Sequence, residues 1–198
     1  MWISVSRRTF RDIELLNFYS TTGDEIAEKF VQPVLGVAAS FDRLTGYFSI
    51  ASLVSISRGL QNLYINDGKM RLVIGIHDVP KDLISAMSLG QLLPETLVDS
   101  VQQQLMHDLE LLADEAQKSA ISAVAWLIRL GILEVKVAAP RASKGIFHQK
   151  RMIFRDYSGN VIAGTGSLNE TMGSRDNIEE MQFNFSWRGG DKTIELLV

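Results

Sequence analysis

Apolar positions recur along this chain with two different periods, and the switching between them predicts its elements. In "TTGDEIAEKFVQPVLGVAAS", capping residues precede Ile26, Phe30, Val34 and Val37, which fall at helical intervals. "FDRLTGYFSI" reads as a strand entering a turn, and "ASLVSISRGLQNLYI" as a helix. "NDG" breaks the chain before "KMRLVIGIH", whose apolar centre predicts a strand buried on both faces. Helical patterning then dominates from about Leu83 to Leu130, with breaks expected near Pro94 and around residues 115–119. "GILEVKVAAP" is a strand after a glycine stop. "IFHQKRMIFRD", "NVIAGTG" and "EEMQFNFSW" are three more, the first two joined by the turn "YSGN". The ending "DKTIELLV" resumes a helical pattern and stops abruptly, as a piece cut from a larger protein would.

Strands alternating with helices, closed by a hairpin and a final strand, describe a layered α/β domain with a mixed sheet. No repeat, low-complexity run or shift in composition divides the 198 residues, so one domain is expected across 1–198. Composition adds limits. The 46% hydrophobic and 22% charged fractions are those of an ordinary globular chain. With no cysteine, disulfides and thiolate metal sites are excluded. No run approaches the roughly 20 apolar residues of a membrane span. The N-terminus lacks the charged-then-apolar order of a secretion signal, so a cytoplasmic protein is expected.

The net charge of −3 argues against a general nucleic-acid coat, but its distribution is uneven. Residues 91–117 carry six acids and no Lys or Arg, whereas 141–155 carry five Lys/Arg and no acid. One anion-attracting region on an acidic body follows.

That basic region contains "IFHQKRMIF". On a continuous strand Ile146, His148, Lys150, Met152 and Phe154 would share one face, apolar at both ends and polar in the middle. An inward lysine needs compensation, and a phosphate would supply it. Beyond the hairpin, "GTGSLNET" offers the small residues Gly164, Gly166 and Ser167, which let a ligand approach the backbone. Ser167 and Asn169 add neutral hydrogen-bond groups, and a short helix starting at "NETMGS" would aim free N–H groups at the same place. A lone histidine or a Gly-Ser-x-Asn loop is ordinarily structural. Here two consecutive strands deliver His, Lys, Ser and Asn together, within cationic surroundings and with no cluster of metal ligands.

"HQK" followed by "GSLN" resembles the HxK(x)4D(x)6GSxN signature of the phospholipase D superfamily. The order of elements across residues 18–187 is similar to that of its single-motif bacterial endonucleases. It is also similar to the domain of this type attached to DEAD/DEAH-box helicases and restriction enzymes. "FDRLTGYFSIASL" leading into "KMRLVIGIH" resembles the opening of that helicase-linked group.

The resemblance implies a phospholipase D-like layered α/β/α domain, here an N-terminal piece of a larger helicase or restriction protein. It implies His148 as the nucleophile on phosphorus, with Lys150 and Asn169 holding phosphate oxygens beside Ser167. Glu179 is the implied carboxylate that orients the imidazole, and Glu180 follows it. Gly166, Lys144 and Arg151 are expected to help bind substrate. Where the signature has aspartate this chain has Arg155, and Asp156 lies one position later as a supporting residue.

The chemistry expected is metal-independent and cofactor-free. An imidazole attacks phosphorus, cations and dipoles stabilise the phosphoryl oxygens, and a second imidazole protonates the leaving oxygen. Of the chain's three histidines only His148 suits this chemistry. His77 ends a strand with no lysine two residues on, and His107 lies in the acidic helical region. A homodimer sharing one site would supply the second imidazole. Nucleic acid is the expected substrate, DNA ahead of RNA, since the basic strand and the single-motif relatives fit nucleic acid better than lipid. Two alternatives stand beside this: a catalytically weak DNA-binding or dimerisation module of a helicase or restriction system, and a phospholipid hydrolase.

Overall fold

The computed structural model describes residues 7–50, 52–76, 79–91, 115–138, 146–168 and 176–198. Seven strands form one mixed sheet: β1 (Phe18–Thr22), β2 (Ala38–Thr45), β3 (Lys69–Gly75), β4 (Leu133–Ala138), β5 (Arg151–Asp156), β6 (Val161–Gly166) and β7 (Ile178–Phe185). Their order is β1-β7-β6-β5-β2-β3-β4. β2, β3 and β4 run parallel, and the other neighbours are antiparallel. The layered α/β fold with a mixed sheet is the one the hydrophobic pattern predicts.

The helices are α1, α2 (Ser52–Ser55), α3 (Ser57–Ile65), α4 (Lys81–Gln91), α5 (Glu115–Arg129) and α6 (Asp191–Leu197). α1 is one helical run of Gly23–Ile26, a π turn over Ala27–Val31, and Gln32–Leu35. The π turn precedes Pro33, which lacks the N–H that a regular ladder would use. Thr22 Oγ1 caps the run by accepting from Glu25 N–H.

Ile26, Phe30 and Val34 are fully buried, as their spacing predicts. They pack on the sheet face that carries Phe41, Met152, Phe154 and Phe183. Phe41 and Phe154 stack across β2 and β5 with ring centroids 4.4 Å apart, and Phe30 stacks on Phe183 at 3.6 Å. Each such ring contributes ~2–3 kcal/mol by leaving water. On the opposite face a smaller cluster of Ile153, Ala163 and Ile194 lies beneath α6.

Several expectations need correction. The strand β1 leaves no mark in the hydrophobic pattern, because only Tyr19 within it is buried and so it has no apolar run. β2 begins at Ala38, inside what reads as helix, because α1 stops at Leu35 with Gly36 as its cap. β3 is not buried on both faces: Met70, Leu72 and Ile74 face the core, while Lys69 and Arg71 are exposed. Arg71 instead pairs with Asp42 on the other face, where Arg155 meets the same carboxylate. No break occurs at 115–119, since α5 runs through residues with good helix propensity. The break expected near Pro94, and His77, His107, Lys144 and Asn169, lie outside the described residues. Among the described residues no helix is long and apolar enough to cross a membrane.

Candidate active site

The chemistry-bearing residues converge at one edge of the sheet. β5 runs antiparallel to β2, so the approach to β5 lies at the carboxyl end of β2. The end of β6 and the start of β7 reach the same edge. The carboxyl ends of parallel strands are where open α/β sheets commonly bind ligands.

His148 and Lys150 stand on that approach, but not within a strand. Regular pairing starts at Arg151, and residues 146–150 run in without a ladder. Ile146 is accordingly exposed, not an apolar end of a buried face. Met152 and Phe154 are buried, so the alternation holds from Met152 onward. His148 is exposed and Lys150 half-buried. Lys150 Nζ lies 2.8 Å from His148 Nε2 and 3.1 Å from Nδ1. Loss of water around the ammonium pushes the Lys150 pKa below its ordinary value of 10.5. Glu179 opposes that shift and Arg43 reinforces it.

Glu179 is buried at the start of β7. Its carboxylate accepts from Ser167 Oγ, and the same hydroxyl accepts from Glu180 N–H at 3.0 Å. Ser167 N–H in turn donates to Glu180 O at 2.9 Å. Ser167 therefore locks the end of β6 to the start of β7 and fixes one oxygen of Glu179. In the described residues that carboxylate meets Ser167, and its bearing on Lys150 is electrostatic.

The small residues of "GTG" have a packing explanation. A side chain at Gly164 would meet the Phe183 ring at 2.4 Å, and one at Gly166 would meet Glu180 O at 1.9 Å. Both glycines admit β7, which accounts for them without a ligand.

Two expected site residues stand elsewhere. Arg151 donates to Leu197 O at 3.2 Å, at the end of α6, on the face opposite Lys150. Asp156 closes the far end of β5, five residues from Arg151 and so about 16 Å away at the usual strand rise. Its carboxylate accepts from the N–H groups of Phe10, Ser158 and Asn160 and from Asn160 Nδ2, all at 2.8–2.9 Å. It holds the "YSGN" turn and the N-terminal segment, not the site.

Three site residues escape the sequence reading. Arg43 is buried beneath the edge, its Nη2 donating to Leu168 O at 2.6 Å. The alternation that singles out Lys150 also places Arg43 inward, between Phe41 and Thr45. Gly46 lies so close to His148 that a side chain would come within 2.9 Å of the imidazole Cδ2. Tyr47 is half-exposed and presents its ring edge-on to His148, with centroids 5.9 Å apart. Thr45 Oγ1 donates to Tyr47 O at 2.7 Å and fixes this turn.

The resulting edge holds an imidazole, two cations and one buried carboxylate among the described residues, an arrangement able to receive an anion. Three solved structures are similar to this chain in layout. NucT from Helicobacter pylori is 13% identical, with 90% of this chain and 91% of that one covered at a TM-score of 0.45. Phosphatidylserine synthase from Haemophilus influenzae Rd KW20 is 12% identical, covering 90% and 36%, with a TM-score of 0.46. Yeast tyrosyl-DNA phosphodiesterase is 11% identical, covering 75% and 25%, with a TM-score of 0.41. This chain thus spans about a quarter of the phosphodiesterase. These likenesses concern layout alone. No protein-family model and no curated protein matches the chain.

Proposed function

We propose that this protein is a phosphodiesterase acting on DNA through a phosphohistidine intermediate. The observation that carries the reading is Lys150 Nζ in contact with both ring nitrogens of His148, at a sheet edge where Arg43 and Glu179 also converge. An ammonium can donate only to a ring nitrogen that keeps a lone pair, and such a nitrogen is nucleophilic. When a phosphodiester arrives, Lys150 transfers its one hydrogen bond from the lone-pair nitrogen to a phosphoryl oxygen and frees the imidazole. Asn169, which follows Leu168 in the chain, is assigned a second phosphoryl oxygen.

In the first step a His148 nitrogen forms the N–P bond, and the P–O bond to the leaving oxygen breaks. A protonated second imidazole gives that oxygen its proton. Water then attacks phosphorus, passing a proton to the second imidazole, and the N–P bond breaks. The second imidazole is assigned to His148 of another copy, in a homodimer with a shared site. The exposed Tyr47 ring beside His148, a surface on which a base can stack, supports nucleic acid over lipid. A fused or associated helicase domain belongs to the same reading.

Cleavage of single- and double-stranded DNA, measured with and without EDTA, tests it. Turnover unaffected by EDTA is expected; complete loss in chelator, restored by a divalent ion, removes the phosphohistidine route. A second reading, a DNA-binding module without turnover, is favoured by one observation: Asp156 sits at the far end of β5 and contributes nothing to this edge. DNA binding without cleavage would select it.

A further inference from the structure

We propose that Arg43 is the positioning residue of this site, tying together the two chain segments that carry its phosphate-directed side chains. The inference rests on the phosphodiesterase reading above and gives Arg43 a role which that reading leaves open.

Pairing between β5 and β6 ends at Arg151 and Thr165. Past that point the approach bearing His148 and Lys150 and the arm bearing Ser167 and Leu168 have no mutual ladder to hold them. Arg43 reaches both from beneath. On β2 it lies across from Met152 on one side and Leu72 on the other, on the face shared with Phe41. It is 1% exposed. Its Nη2 donates to Leu168 O at 2.6 Å and its Nη1 to Arg151 O at 3.5 Å. The first carbonyl immediately precedes Asn169, and the second immediately follows Lys150. A planar fork can serve two such acceptors at once, whereas a lysine ammonium on the same strand is a point charge.

The charge matters as well as the fork. Burying a guanidinium is costly, and an aliphatic chain would fill that interior slot without the penalty. Lys150 faces Arg43 from β2 and Glu179 from β7, with His148 beside it on its own segment.

Arg43→Met and Arg43→Lys test this in the full chain. The first readout is the pH dependence of Lys150 acylation, followed by peptide mass spectrometry, which requires no turnover. Arg43→Met is expected to move the Lys150 midpoint upward, because a neighbouring positive charge is lost, and Arg43→Lys to leave it in place. The second readout is cleavage, expected to fall by at least about tenfold in Arg43→Lys, where the charge remains and the fork is gone. An unchanged Lys150 midpoint in folded Arg43→Met, or wild-type turnover in Arg43→Lys, overturns the role. Should Arg43→Met fail to fold, Arg43→Lys decides by its turnover. A wild-type protein that never cleaves DNA sinks the phosphodiesterase reading instead, and the Lys150 midpoint still reports whether Arg43 is coupled to it.

Discussion

Lys150 Nζ sits 2.8 Å from His148 Nε2, so the residue assigned to phosphate and the residue assigned to phosphorus are already in contact. Neither fills the core: His148 is exposed and Lys150 half-buried. Lys150→Ala is therefore expected to leave the fold intact and lower turnover roughly 100-fold or more, the usual effect of removing a charge-stabilising donor. Asn169→Ala is expected to behave alike. Urea unfolding alongside steady-state cleavage checks both. An early unfolding midpoint with unchanged specific activity would show the residue to be structural.

The same lysine sets a pH limit. Desolvation lowers its folded-state pKa from 10.5, so the ammonium is lost at a lower pH than in an ordinary lysine. The alkaline limb of kcat/KM is expected below 10.5 and should be absent from any residual activity of Lys150→Ala. The stability effect has the opposite sense. Between the folded pKa and 10.5 the unfolded chain binds more protons at this position, so stability rises with pH there. A limb at or above 10.5 contradicts the burial of this group.

Gly46 makes room for the nucleophile. A methyl group there would press to 2.9 Å from His148 Cδ2. Gly46→Ala is expected to displace the imidazole and lower kcat about tenfold or more while changing stability by less than ~1 kcal/mol. Paired activity and thermal-melt measurements decide it. Wild-type kcat would mean the imidazole position does not matter.

Asp156 belongs to the fold. Replacing it with alanine leaves the buried N–H groups of Phe10 and Asn160 without their acceptor, at a cost of about 2–4 kcal/mol. Cleavage by the protein that remains folded, assayed well below its melting point, is expected to be near normal. Activity lost ahead of stability would return Asp156 to the site.

Assembly follows from the chemistry, since one displacement uses a nucleophile and a separate proton donor. Mixing His148→Asn chains with wild type is expected to reduce activity faster than the wild-type fraction once subunits exchange. Activity strictly proportional to that fraction, or full activity from a monomer, would refute the shared site.

What the sequence determined by itself was set by periodicity and local chemistry. Ile26, Phe30 and Val34 at helical spacing, the alternation of Met152 and Phe154, and Gly159 in the "YSGN" turn each carry their structure within a few residues. The tertiary structure decided whatever depends on partners remote in the chain. β1 is a strand because β7 offers it a ladder, not because its own residues demand one. Gly164 and Gly166 read as a ligand cradle until β7 is seen to occupy the space they leave. Asp156 stands near the signature position in sequence, but a strand of six residues carries it to the opposite end of the sheet. Arg43 lies 107 positions before Lys150, and only the pairing of β2 with β5 brings the two charges together, because a sheet register is a relation between segments that neither segment contains.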